Sequence, residues 1–245
     1  MQGFPEQAEQ SMSQALISCD EIGHSVSRAF AYGHGATLSG WLRNYDEADA
    51  RATVAIAVAH QFGIAFADGW SLLQRGHAHA CRGQHESAHV DLAAGLEVLE
   101  QSGQANGLRS QLMYTWFRSM TAEAHGELGA PEKGLALLPE AIALIEKTGA
   151  RHPEPSLYRV RGDLLRSMGL ATEARESLEH SLELAKQRGA VGFALRTALS
   201  LVELDIEQSA TRANQGTLEK LRTAFTEGSQ THDLQHADRL LARIA

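Results

Sequence analysis

His85-Glu86-Ser87-Ala88-His89 has the H-E-x-x-H spacing. On a helix that spacing sets two imidazoles on one face as zinc ligands, with the glutamate placed to act as base on a metal-bound water. His77, His79 and Cys81 stand a few residues upstream as further donor groups. The surroundings of the motif argue for something plainer. At the corresponding places of a repeat described below, the chain reads YDEAD, PEKGL and TEARE, so the glutamate and alanine belong to the repeat. No third-ligand motif follows, and in a chain with 12 histidines a chance match is unsurprising. The two cysteines, Cys19 and Cys81, have no partnered His–Asp constellation in the sequence and read as small core or surface thiols. Gly33-His34-Gly35 with Gly40 is a poor phosphate loop, because no strand pattern precedes it.

A second set of residues has the chemistry of recognition. Phe30, Trp70 and Trp116 each lie six residues before a small residue, namely Ala36, Gly76 and Ala122. Equivalent positions in stacked units line up along one face, and large aromatics in a groove act as binding anchors. Ser156 and Arg196 continue the line, so Phe30, Trp70, Trp116 and Arg196 are the candidate ligand groove. The competing expectation is that the rings serve only to join neighbouring repeats.

The elements that must position these residues follow from internal repetition. Glycines at 23, 63, 103, 149 and 189 are separated by 40, 40, 46 and 40 residues. A second ladder, Gly3, Arg43, Gly83, Gly129 and Gly169, has the same spacings. The six extra residues fall after Gly103, in QANGLRS. Glycine past a helix end adopts the left-handed conformation without a Cβ penalty, so each rung predicts a helix stop. About 20 residues per rung leaves one helix and a tight turn. In the second helix of each unit, small residues at 48, 88, 134 and 174 are followed four on by Ala52, Leu92, Leu138 and Leu178, then by Ile56, Leu96, Ile142 and Leu182. That is an apolar stripe at helical spacing. Acidic residues open these helices. Pro131 suits a first turn, and Pro139 is expected to bend its helix. Counting on from Gly189 predicts a turn at Ser209 and a stop at Ser229 beside Gly228, with helices over 191–207 and 215–227 and a one-sided capping helix over 231–245.

Tyr158-x-x-Arg161-Gly162-x-x-Leu165 and then Ala174-x-x-x-Leu178 resembles the tetratricopeptide pattern W-x-x-L-G-x-x-Y…A-x-x-x-F. Arg161 departs from the usual leucine, and the period of 40 is longer than the family's. The resemblance implies an all-α fold, an α-α superhelix (solenoid) of antiparallel helical hairpins with a period of about 40 residues. It covers residues 1–245 as one repeat domain. Its units are a half hairpin over 1–23, then 24–63, 64–103, 104–149, 150–189 and 190–229, and finally the cap. A narrower resemblance links residues 158–204 and 223–245 to the C-terminal repeat region of bacterial signal-transduction ATPases and adenylate/guanylate cyclase regulators. No G-x-x-x-x-G-K-[ST] occurs, so ATPase activity is not carried over.

Gly3-Phe4-Pro5-Glu6-Gln7-Ala8 aligns with the turn before a second helix, whose inward stripe is Ala8, Met12 and Leu16. The missing first helix would leave apolar surface uncovered. The expectations are therefore a C-terminal piece of a longer protein or a homodimer through residues 4–20. The composition agrees with a helical globular chain: 43% hydrophobic, five prolines and a net charge of −8. The acidic balance disfavours nonspecific nucleic-acid binding. No apolar run reaches the length of a membrane span and no secretory signal is visible, so a cytoplasmic location is expected. The expected function is a scaffold that binds a protein segment or a small effector on its concave face, without catalysis, cofactor or metal. The alternatives are a zinc hydrolase at His85/His89 and an oligomerisation module.

Overall fold

In the computed structural model, residues 2–101, 108–209 and 213–244 are described, with the backbone alone for residues 108–112. The described residues form twelve α-helices and no strand. These are α1 (Pro5–Ile22), α2 (Ser25–Trp41), α3 (Tyr45–Phe62), α4 (Ala65–Cys81), α5 (His85–Gln101), α6 (Leu108–Glu127), α7 (Pro131–Thr148), α8 (Glu154–Ser167), α9 (Ala171–Gln187), α10 (Val191–Glu207), α11 (Gln215–Thr223) and α12 (His232–Ile244). The fold is the expected all-α succession of antiparallel hairpins at a 40-residue period.

The helices stop where the ladder places the turns. Gly23, Gly63, Gly83, Gly129, Gly149, Gly169 and Gly189 all have positive φ. At Arg43 and Ser209 the chain adopts the same left-handed conformation with φ 56° and 55°, although both carry a Cβ. The rung at Gly103 lies outside the described residues, as do 104–107 of the inserted segment. Residues 108–110 of that segment open α6, which has 20 residues where α2, α4 and α10 have 17. Part of the insertion therefore lengthens a helix. α7 runs through Pro139 as one helix. α11 ends at Thr223, four residues short of the expected 227, and the positive φ near the next stop falls on Gly228.

Burial within the hairpins follows size complementarity. The small residues Ala48, Ala88, Gly134 and Ala174 are buried, as are Ala52, Leu92, Leu138 and Leu178 four positions on. The next tier differs from the expected one. Ala55, Gly95, Ala141 and Ser181 are buried, whereas Ile56, Leu96 and Ile142 are only half-buried and Leu182 alone of the expected tier is buried. A helix turns 100° per residue, so a position seven on lies nearer the centre of the face than one eight on. In the hairpins α4–α5 and α8–α9 the first helix offers a gap that the second fills. A Cβ on Gly76 would stand 2.9 Å from Leu92 Cγ, and one on Gly162 would stand 2.6 Å from Leu178 Cγ.

By its internal contacts the chain divides into two compact units. One is Gln7–Ala130. In it α2 packs on α3, α3 on α4 and α4 on α5, and the first helices α2, α4 and α6 also touch one another. Met12 and Leu16 of α1 approach Gly35 of α2, and Cys19 is buried. The exposed positions of α1 are polar apart from Ala15, Ile17 and Ile22, and Phe4 just before it is exposed as well. The other unit is Pro131–Ala245 with Met1–Glu6. Its core joins Leu195, Ala198, Leu199 and Val202 of α10 to Leu218 of α11 and Leu234, Ala237, Leu240 and Ile244 of α12. Its short N-terminal segment bonds to the loop after α11: Glu6 N–H donates to Glu227 (2.9 Å) and Gly228 N–H to the Glu6 carboxylate (2.8 Å). No helix among the described residues is long and apolar enough to cross a membrane.

Candidate functional site

The candidate groove residues are found inside the helix layers. Trp70 is only 1% exposed. Its ring lies 6.3 Å from those of Phe30 and Phe66 and 6.4 Å from Phe117, with the His34 imidazole edge-on at 4.7 Å. Phe30 is half-buried and stacks on Phe66 at 6.2 Å. Trp116 shares the same cluster but meets Trp41 edge-on at 5.1 Å. Phe30, Trp70 and Trp116 thus come together as core, because the small residue six positions on in each first helix draws the hairpins close enough for the rings to interlock. Arg196 belongs to the other unit, where it is buried and its Nε donates to Asp233 (2.6 Å). Ser156 is buried as well. Trp70 thus serves inter-repeat packing, the competing expectation, while Phe30 and Trp116 are half-buried beside it.

His85 and His89 are exposed in the first turns of α5, with Ala88 facing inward. Among the described residues no three His, Cys, Asp or Glu side chains stand in a metal-holding arrangement.

A constellation that the sequence reading passed over lies on α4. Cys81 and His77 are one turn apart, and Cys81 Sγ stands 3.7 Å from His77 Nε2. The same Nε2 is 3.2 Å from a carboxylate oxygen of Glu123 on α6. From α3 the Tyr45 ring meets the imidazole edge-on at 5.9 Å. Burial opposes a charge on His77, but Cys81 and Glu123 outweigh it and hold the imidazole protonated up to about 10. Burial, reinforced by Cys81, raises the Tyr45 phenol, so it remains a donor. Cys19 is the contrasting thiol. It is buried, donates to Leu16 C=O (3.2 Å), and burial pushes its pKa up. The expectation that Cys81 has no partnered histidine is corrected.

The signal for this cluster was present in the repeat. His77 and Cys81 are four apart on a helix, and Glu123 lies 46 residues after His77, the spacing of the ladder across the insertion. It is the same position in the next first helix. Other polar contacts obey two fixed separations. A separation of 16 crosses one hairpin: Arg75 to Asp91 with two bonds of 2.7 Å, Arg161 to Ser177 at 3.0 Å, and Arg222 to Asp238. A separation of 37 joins successive first-helix positions: Gln74 to Thr37, and Arg166 to Glu203 at 2.6 Å.

No family model and no curated protein matches the chain.

Proposed function

We propose that this chain is a helical-repeat scaffold that binds a protein segment, and that it serves as the regulatory end of a bacterial signalling ATPase or cyclase-type regulator. The second half of that reading rests on the resemblance of residues 158–204 and 223–245 alone. The first half is supported by one surface observation. Ile22, Val26 and Phe62 are 73%, 45% and 54% exposed, and all three flank the turns at Gly23 and Gly63. Turns of that ladder follow second helices and fall on one edge of a hairpin stack, so the three side chains form an apolar edge. Clustered exposed apolar groups mark protein contact more often than they mark any other surface role. With Trp70 enclosed, this edge is a better contact than the inner face.

Photo-crosslinking in cells tests the reading. A crosslinking residue replacing Ile22 and, separately, Phe62 is expected to capture the same polypeptide. The same residue at exposed Glu97 on α5 captures it poorly or not at all. Equal yields from all three positions, or none from 22 and 62, would sink the proposal. Reading the DNA upstream of Met1 tests the signalling half, since an in-frame ATPase or cyclase segment is what the resemblance requires.

A further inference from the structure

We propose that Cys81 is a peroxide-reactive thiol whose attack is assisted by His77, with Glu123 as the residue that positions the imidazole. The geometry has three parts. Cys81 is half-buried near the end of α4, whereas Cys19 is buried. His77 is buried, and its Nε2 faces both Cys81 Sγ and the Glu123 carboxylate. The Tyr45 ring packs edge-on against the same imidazole at 5.9 Å. An imidazole within reach of a sulfur assists its nucleophilic attack, and thiolate is the nucleophilic form. His77 of α4 faces the sulfur, and Glu123 from α6 and Tyr45 from α3 face the His77 imidazole, with Arg43 in the turn before α3 acting on Tyr45.

The step balances with a hydroperoxide as the only co-reactant. The Cys81 thiolate attacks the terminal oxygen, so an S–O bond forms as the O–O bond breaks. The electron pair leaves on the other oxygen, which takes the proton from His77 Nε2 and departs as water or an alcohol. Sulfur is oxidised by two electrons to the sulfenic acid and the peroxide is reduced by two. The imidazole ends neutral, still beside Glu123.

The test uses the full, reduced chain treated with hydrogen peroxide near pH 7, with the sulfenic acid trapped by dimedone. Trypsin separates the two thiols, Cys81 in Gly76–Arg82 and Cys19 in Met1–Arg28, and mass spectrometry reads each. Cys81 is expected to react about tenfold or more faster than Cys19 and than free cysteine. The excess of its rate over that of free cysteine is expected to widen as pH falls from about 8 to 6, because His77 assists the attack. In His77→Asn the Cys81 rate should fall about tenfold and climb with pH like an ordinary thiol's. If that variant does not fold, as judged by its helical circular dichroism, Glu123→Gln takes its place with a fall in rate again expected. Cys81 reacting no faster than free cysteine, or a folded variant as reactive as the parent, overturns the proposal.

Discussion

Gly162 and Gly40 are both helical glycines, yet substitution at each should have opposite consequences. A Cβ at Gly162 would stand 2.6 and 2.7 Å from Leu178 Cγ and Cδ2 and 3.1 Å from Ala174 C=O, whereas nothing lies within 4 Å of one at Gly40. Leu178 is fully buried and cannot swing clear, so Gly162→Ala should cost about 1–3 kcal/mol through overpacking, less the small gain in helix propensity. Gly40→Ala keeps only that gain, about 0.5–1 kcal/mol near a helix end. Urea unfolding of the two variants beside the parent checks both signs. The same reasoning explains why the resemblance at Gly162 was legible in sequence. Close approach of two backbones demands a residue without a side chain, and few alternatives satisfy it.

At the scale of the element, the turns carry the more instructive exceptions. Arg43 and Ser209 hold positive φ at rungs otherwise occupied by glycine. Each costs about 1 kcal/mol relative to glycine, since an L side chain in this conformation meets its own carbonyl. Arg43→Gly and Ser209→Gly should therefore raise the thermal midpoint, and the pair should be nearly additive because they lie in different units. A lower midpoint for Ser209→Gly would show that its Cβ is favoured there by something other than the turn. Element boundaries were readable to within a residue or two where a glycine marked them, as for α10 at 191–207. They were misjudged where the chain left the period, at the end of α11.

For the molecule as a whole, acid stability should report on the charged rows between hairpins. Glu203 on α10 accepts from Arg166 of α8 (2.6 Å) and faces His236 of α12 (3.2 Å). Burial pushes its carboxyl up, but the hydrogen bond from His236 and the charge of Arg166 more than offset this and hold it at about 2, against an ordinary 4.5. A depressed carboxyl contributes stability that is complete above the unfolded value and lost as pH falls from 4.5 toward 2. Glu203→Gln should unfold more easily at neutral pH and lose less stability than the parent on acidification through that window. Urea midpoints across the pH range measure it, and parallel profiles for the two chains would refute the assignment.

Helix, period and hairpin pairing were determined by the sequence alone, because each depends on local events: a left-handed turn every 20 residues or so, and an apolar face repeating every 3.6. Which polar groups meet was decided only by the tertiary structure. His77 finds Glu123 and Arg166 finds Glu203 across separations of dozens of residues, and those distances depend on how closely successive first helices stack. The fate of the aromatic row was decided there too. A large ring at a repeated position suits a groove or a seam equally well in sequence. Trp70 became a seam because Phe30, Phe66 and Phe117 close around it, and burying that apolar area is worth more than leaving it in water.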